Sequence, residues 1–153
     1  MKGGMRVRRA FLLLAFALAL WSAVLAHEAL PASVPSAAPQ KKWILIELDL
    51  KRLTLYQGTT VLKRYPIASG AWSTPSPIGV FTVIGRFKTE MSGFGTRFLR
   101  LNVPWGVYGI HGTNRPDSIG ANASHGCIRL RVADAEALYA MVPNGTRVYL
   151  EGG

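Results

Sequence analysis

The chain has 153 residues, which suggests a single domain, and its one cysteine excludes an internal disulfide. Its formal net charge is +10, from 18 Lys and Arg against 8 Asp and Glu. We expect no nucleic acid partner, because the basic side chains form no run beyond the first nine residues and the N-terminus has the composition of an export signal.

The first 26 residues predict a leader for export. Four basic side chains in residues 1–9 are followed by an apolar run over residues 10–26, in which Ser22 is the one polar residue. A basic segment ahead of a short apolar segment is typical of a secretory signal peptide. The small residues at the end of the run predict cleavage after Ala26.

The alternative is that the leader is retained as an N-terminal anchor. The apolar run is 17 residues long, which is at the lower limit for a helix that spans a bilayer. An uncleaved leader would tether the protein to the membrane through residues 10–26. Both interpretations place the rest of the chain outside the cytoplasm, in the cell wall or the periplasm.

Residues 27–42 are rich in Ala, Pro and Ser and show no period, which predicts a tether. The folded domain is then expected over residues 43–153, a size that supports its own core. From His27 onward, 14 Lys and Arg stand against 8 Asp and Glu, a net charge of +6. A basic exported domain suits an anionic polymer such as the cell wall, although such a charge also occurs on surfaces that are merely soluble.

The first half of the domain predicts strands and turns. Residues 43–50 are a β-rich run, and residues 53–69 predict a hairpin with its turn at Gln57–Gly58. A loop is predicted over residues 73–79, which hold two prolines and a closing glycine. Residues 80–87 predict a further strand.

The second half contains the one strong helix pattern. Residues 88–97 have no hydrophobic period and predict a loop, and strands are predicted over 99–103 and 107–110. Apolar residues at helical spacing predict a helix over residues 132–141, and residues 146–150 predict a closing strand. The expected fold is mainly β: a small β-sandwich or closed sheet of short strands with one principal helix.

The residues that carry chemistry are concentrated between Gly109 and Leu130. His111, His125 and Cys127 lie within 17 consecutive positions. A free thiol has a pKa of about 8.5, and a neighbouring imidazole can take its proton and leave an ion pair. A Cys–His pair is the minimum apparatus for acyl transfer through a thioester, and backbone amides next to the cysteine could stabilise the oxyanion.

The spacing alone leaves two questions open. It does not decide whether His111 or His125 is the base. Zinc binding by these two histidines and Cys127, with Asp117 as a fourth ligand, is the alternative chemistry. We expect no metal, because His-x-Cys is an uncommon ligand spacing and the chain has no second cysteine. Inert burial of these side chains is disfavoured because the segment is polar and rich in glycine.

This segment resembles the L,D-transpeptidase catalytic domain, also called the YkuD domain. The family motif is a His-Gly pair, a spacer, and then Ser-His-Gly-Cys followed by an apolar residue and Arg or Asn. Here it corresponds to His111-Gly112 and to SHGCIR at residues 124–129. Residues 74–81 and 143–146 also resemble family segments, and the resemblance extends over residues 43–150.

The resemblance implies that Cys127 is the nucleophile and His111 the general base, with the carbonyl of Gly112 orienting the imidazole. It further implies that Ser124 and His125 shape the pocket, and that the amides of Gly126 and Cys127 hold the oxyanion. Arg129 would bind a carboxylate of the substrate.

For the family, the acyl donor is a tetrapeptide stem of peptidoglycan. The thiolate attacks the carbonyl of the third residue, D-alanine leaves, and an amine of a neighbouring stem resolves the thioester into a 3→3 cross-link. Resolution by water would make the enzyme an L,D-carboxypeptidase, and resolution by a protein lysine an anchoring enzyme. A second alternative is a catalytically silent module that binds peptidoglycan.

The resemblance implies no cofactor, and we expect a monomer. Residues 1–42 contain no recognisable wall-binding repeat such as LysM. Targeting to the wall is therefore expected to depend on the tether or on the surface of the domain.

Overall fold

The computed structural model describes residues 40–152, except for the side chain of Met91. The predicted leader, residues 1–26, and the tether up to residue 39 lie outside the described residues. Within residues 40–152, no helix has the length and apolar composition needed to cross a membrane.

The described part contains ten strands and one α-helix. The strands are β1 Lys42–Glu47, β2 Arg52–Gln57, β3 Thr60–Pro66, β4 Ser69–Gly70, β5 Gly79–Ser92, β6 Gly95–Leu101, β7 Tyr108–Gly112, β8 Asn122–Ser124, β9 Ile128–Leu130 and β10 Arg147–Glu151. The helix α1 is Val132–Met141, and a short 3₁₀ turn is Pro116–Ser118. The predicted mainly β fold with one principal helix is confirmed.

Eight of the strands form one mixed sheet in the order β3-β2-β1-β10-β5-β6-β7-β9. The pairs β1–β10 and β7–β9 are parallel, and the other neighbours are antiparallel. β4 and β8 form a separate parallel pair. A bridge between Ala68 and Arg129 connects the segment after β3 with β9, so the two ends of the sheet order approach each other.

The long strand β5 joins the two halves of this sheet. Its first residues pair with β10, up to Thr82, and from Val83 onward it pairs with β6. The register against β6 shifts at two places, between Val83 and Gly85 and between Lys88 and Ser92. Such bulges increase the local twist of a strand, which allows one strand to serve both halves.

The prediction of a loop over residues 88–97 is wrong. β5 continues to Ser92, the turn lies at Gly93–Phe94, and β6 begins at Gly95. Gly95 has a φ of +63°, a backbone conformation that residues other than glycine rarely adopt. Pairing with the neighbouring strand stabilises this hairpin although its sequence lacks a strand period, because strand formation depends more on context than on local sequence.

The helix matches its predicted bounds and packs on β6 and β7. Its buried side chains are those of Ala135 and Leu138. They join a core in which Ile110 of β7 and Ile128 of β9 are each 1% exposed. The core therefore anchors β7 and β9, the strands next to the chemical motif.

Candidate active site

Strands β7 and β9 bring the two halves of the motif together. They pair in parallel with Ile110 opposite Ile128 and His111 opposite Arg129. Extending this register by one residue places Cys127 beside Gly109, two positions from His111. Because Ile110 and Ile128 point into the core and side chains alternate along a strand, His111 and Cys127 lie on the opposite face. Strand spacing and rise put their Cα atoms about 8 Å apart.

His111 is buried, and its environment fixes its tautomer. Its Nδ1 contacts the carbonyl oxygen of Gly112, which can only accept a hydrogen bond, so Nδ1 carries the proton and Nε2 is left as an acceptor. The imidazole is stacked on Phe98, with ring centroids 5.6 Å apart and planes at 11°. Phe94 meets it edge-on at 5.0 Å. Two aromatic rings therefore hold the orientation of the imidazole.

Burial lowers the pKa of His111 to about 4. The hydrogen bond with Gly112 opposes this shift, and the positive charge of Arg129 adds to it. Removal of an imidazole from water disfavours its charged form. The ring is therefore neutral at neutral pH, with a lone pair on Nε2 available to accept a proton.

Cys127 is partly buried, and its Sγ lies 4.0 Å from the carbonyl oxygen of Val107. Burial raises the pKa of the Cys127 thiol, while a backbone hydrogen bond with Gly109 and the charge of Arg129 act in the opposite direction. Because the pKa of the imidazole is lowered and the pKa of the thiol is raised, both groups are neutral when no substrate is bound. This differs from the ion pair expected from the sequence, because the sequence does not reveal burial.

Ser124 organises the loop that carries the cysteine. Its hydroxyl donates a hydrogen bond to the carbonyl oxygen of Cys127 at 2.5 Å and accepts a hydrogen bond from the amide of Gly126 at 3.0 Å. Of the two amides predicted to hold the oxyanion, that of Gly126 thus already has a partner. The amide of Cys127 is then the better candidate donor.

Gly126 has a steric role. Its φ is +109°, and a Cβ at this position would lie 2.6 Å from the ring of Tyr108. A larger residue would need both a rare backbone conformation and displacement of that ring. The glycine therefore allows the loop to turn tightly before Cys127.

Residues 70–76, which include the start of the 74–81 segment that resembles the family, pack against the same loop. Thr74 donates through Oγ1 to the carbonyl oxygen of Ser124 at 3.0 Å, and the amide of Ala71 donates to the same oxygen at 2.8 Å. The amide of Gly70 donates to Ser76 Oγ at 2.8 Å. These bonds fix residues 70–76 along one side of the site.

Arg129 lies opposite His111 in the ladder, and its backbone is bonded in both directions to Ala68, at 2.9 Å each. Its charge acts on both His111 and Cys127, which places the guanidinium near the pair. Its Nε is buried and has no hydrogen-bond partner among the described groups. A buried donor without a partner is costly unless a ligand supplies an acceptor.

The other predicted residues, His125 and Asp117, have exposed side chains. The side chain of His125 is exposed, so the register and burial favour His111 as the partner of Cys127. Asp117 is exposed in the 3₁₀ turn, and within residues 40–152 no three His, Cys, Asp or Glu side chains are grouped as metal ligands. The sequence interpretation missed Phe94, Phe98 and Tyr108, for which the only signal was their aromatic character.

Comparison with known proteins supports the assignment made from the motif. The family described as the L,D-transpeptidase catalytic domain, YkuD, matches residues 41–150. The chain belongs to the L,D-transpeptidase family. The YkuD protein of Bacillus subtilis strain 168, which carries the name of an L,D-transpeptidase, is 45% identical over 105 residues. The match covers 69% of this chain and 63% of that relative, so the chain spans less than two thirds of its length.

Solved L,D-transpeptidases share the fold. The catalytic domain of the Enterococcus faecium L,D-transpeptidase, determined by NMR, is 26% identical with a TM-score of 0.60, and the match covers 73% of this chain and 98% of that one. The structure described as the Ldtfm-avibactam carbamoyl enzyme is 25% identical with a TM-score of 0.64, covering 74% of this chain and 50% of that one. Residues 41–150 are thus an L,D-transpeptidase catalytic domain.

Proposed function

We propose that this protein is a cysteine L,D-transpeptidase that forms 3→3 cross-links between stem tetrapeptides of peptidoglycan. The observation that carries the proposal is the pairing of β7 with β9. It brings the only thiol of the chain to the same face as an imidazole whose Nδ1 is occupied by Gly112 and whose Nε2 is free to act as a base.

The acylation step begins from the neutral pair. As the Sγ of Cys127 attacks the carbonyl carbon of the third stem residue, its proton passes to Nε2 of His111. The amide of Cys127 donates to the oxyanion of the tetrahedral intermediate. When the C–N bond breaks, the imidazolium returns the proton to the amine of the departing D-alanine, and a thioester on Cys127 remains.

Deacylation reverses the proton transfers. The amine of a second stem attacks the thioester carbonyl, gives its proton to His111, and the Cys127 thiolate leaves and is reprotonated. Arg129 lies opposite His111 in the ladder, and its Nε has no hydrogen-bond partner among residues 40–152; in this mechanism it binds a carboxylate of the stem peptide. Attack by water instead of an amine would give an L,D-carboxypeptidase, which is the second candidate activity.

The decisive experiment is incubation with purified disaccharide-tetrapeptide. We expect release of D-alanine and a dimeric product of the 3→3 type. Release of D-alanine with only a disaccharide-tripeptide would identify a carboxypeptidase. Absence of D-alanine release would contradict both activities and favour a silent binding module.

A covalent inhibitor provides a direct test of the nucleophile. We expect a carbapenem, or avibactam, to add its mass to the parent protein at Cys127, and to leave a Cys127→Ala variant unmodified. An adduct on another residue, or no adduct on the parent, would contradict the assignment of the nucleophile. The exposed Thr59, in the turn between β2 and β3, offers a control, because Thr59→Ala should be modified as fast as the parent.

We further propose that the domain acts outside the cytoplasm. The proposal is supported by the basic and apolar composition of residues 1–26. Protease accessibility in cells with a permeabilised outer layer but intact cytoplasmic membrane tests it, and protection of the domain would contradict it. An N-terminus at His27 would identify the leader as cleaved, and an intact N-terminus would identify an anchor.

A further inference from the structure

A second surface of the sheet has the composition of a binding site. On β1 and β10 the residues that point away from the core include Trp43, Leu45, Arg147 and Tyr149, and Tyr56 of β2 lies next to Trp43. A sheet face in contact with water usually carries polar side chains. This face is largely aromatic and apolar, and clustered apolar groups on a surface commonly mark a binding site.

The aromatic part of this face is rigid. Trp43 is stacked on Tyr56 with ring centroids 4.2 Å apart and planes at 5°, and Tyr149 meets it edge-on at 5.5 Å. The indole Nε1 of Trp43 also donates to the carbonyl oxygen of Gly58 at 2.7 Å. A platform that is already ordered loses little conformational entropy when a ligand binds.

The face is concave, and positive charges lie along it. Trp43, Leu45 and Tyr149 line a groove together with Lys41 and Arg147, whose side chains are exposed. The acid of the lining, Glu151, lies at the opposite end of the β1–β10 ladder from Arg147. In the sheet order β5 and β6 lie between β10 and β7, so the groove is separate from Cys127 and His111.

We propose that this groove, lined by Lys41, Trp43, Arg147 and Tyr149, binds the glycan strand of peptidoglycan. Pyranose rings pack their C–H faces on aromatic rings. The carboxylates along the strand, which belong to the stem peptides or, where a stem has been removed, to the lactyl groups, complement the two cations. The inference rests on the proposed function, since it assumes a wall substrate.

The ligand for the test is peptidoglycan glycan from which an amidase has removed the stem peptides. It lacks the acyl donor and carries one lactyl carboxylate per disaccharide, so its binding is independent of the active site. The full chain with Cys127→Ala is used, and binding is measured by cosedimentation with insoluble glycan and by titration with soluble fragments. Chitooligosaccharide of equal length is neutral, so its binding measures the contribution of stacking on the aromatic rings without the contribution of charge.

We expect Tyr149→Ala and Arg147→Ala each to weaken binding of the stripped glycan by at least tenfold. Arg147→Ala should leave chitooligosaccharide binding almost unchanged, whereas Tyr149→Ala should weaken it. Leu50→Ala and Arg100→Ala are controls for an apolar and a basic side chain, because both side chains are exposed outside the groove and outside the candidate active site. Trp43→Ala is a third groove variant, and since Trp43 also supports the sheet, it is interpreted only if circular dichroism matches that of the parent.

Two results would overturn the proposal. One is that the parent does not bind the stripped glycan at all, and the other is that the Tyr149→Ala and Arg147→Ala variants both bind it as tightly as the parent does. The parent could also sediment with a larger mass than the Tyr149→Ala variant while the two bind glycan equally well. That result would identify the groove as a contact between copies of the chain and would also overturn the proposal. Failure of the proposed function is distinguished separately. With Cys127 intact, D-alanine release from soluble tetrapeptide without glycan should be the same in Tyr149→Ala and in the parent.

Discussion

At the scale of single residues, the site combines a thiol and an imidazole that are both neutral when no substrate is bound. Burial is the main cause of both pKa shifts, upward for Cys127 and downward for His111. A neutral thiol is a weak nucleophile, so the attack that we propose for Cys127 must be coupled to proton transfer. The carbonyl of Gly112 supports this by keeping Nε2 of His111 unprotonated.

The first residue-level prediction separates the two histidines. We expect His111→Ala to abolish acylation by a carbapenem, because no other described base lies next to Cys127 on β7 and β9. His125→Ala should only weaken acylation, since the His125 side chain is exposed. Stopped-flow measurement of acylation rates tests the pair. A larger loss in His125→Ala than in His111→Ala would reverse the assignment of the base.

The second residue-level prediction concerns pH. His111 has a pKa of about 4 and acts as a base only when unprotonated, so acylation should be lost as the pH falls through about 4. The rate should stay nearly constant from pH 5 to 7, because the imidazole is already neutral there and the raised pKa of Cys127 keeps the thiol protonated. The acylation rate from pH 3 to 8 is the measurement. A midpoint near 6.5 would show that the imidazole is not desolvated.

At the scale of elements, the site depends on three segments that are distant in sequence. The β7–β9 pair places the reacting groups, the β5–β6 hairpin contributes Phe94 and Phe98 against His111, and residues 70–76 are bonded to Ser124. The hairpin is the element that the sequence misassigned as a loop. Its aromatic side chains form one wall of the histidine pocket, so the misassignment also concealed part of the site.

The loop between β8 and β9 gives an element-level prediction. Ser124→Ala removes a hydroxyl that is buried and leaves the amide of Gly126 and the carbonyl of Cys127 without that partner. We expect a loss of about 1–3 kcal/mol in the free energy of unfolding, and slower acylation because the position of Cys127 is less well fixed. Urea unfolding and acylation rates measure the two effects. Thr59→Ala, at an exposed position in the turn between β2 and β3, should change neither quantity, and equal behaviour of the two variants would contradict the role of Ser124.

At the scale of the whole molecule, the fold keeps its candidate active site and its aromatic groove on different parts of one sheet. β7 and β9 carry the thiol and imidazole, whereas β1 and β10 carry the aromatic groove. The net charge of +6 from residue 27 onward favours the anionic wall polymer that we propose as the ligand of both. Under these two proposals, one domain holds a glycan strand while it reacts with a stem peptide.

The global prediction is a dependence of stability on pH. His111 has a pKa of about 4 when folded against a model value of 6.5, so between these values the unfolded chain binds more protons. Its contribution to stability is complete above pH 6.5 and is lost as the pH falls toward 4. From pH 7 to 4.5 this single group should lower the free energy of unfolding by about 2 kcal/mol.

Urea unfolding of matched variants isolates this contribution. His111→Gln cannot titrate and should lose about 2 kcal/mol less than the parent between pH 7 and 4.5. His125→Gln, at an exposed position, should retain the dependence of the parent. Identical pH dependence in the parent and His111→Gln would mean that the imidazole is not buried in the folded protein in solution.

The sequence alone determined what depends on residue identity and short-range pattern. The single thiol at Cys127, the His-Gly and Ser-His-Gly-Cys segments, the mainly β composition and the helix over residues 132–141 were all predicted from it. These features are local, because helix period and motif spacing involve residues close together in the chain. The leader and tether stay predictions.

Only the tertiary structure decided how these pieces meet. Pairing of β7 with β9 joins residues 18 positions apart, Ile110 with Ile128, and this register favours His111 over His125. Burial set both pKa shifts, and strand pairing turned residues 88–97 into a hairpin. Strand register and burial depend on contacts between segments that are distant in the chain, so they cannot be predicted from the pattern of neighbouring residues.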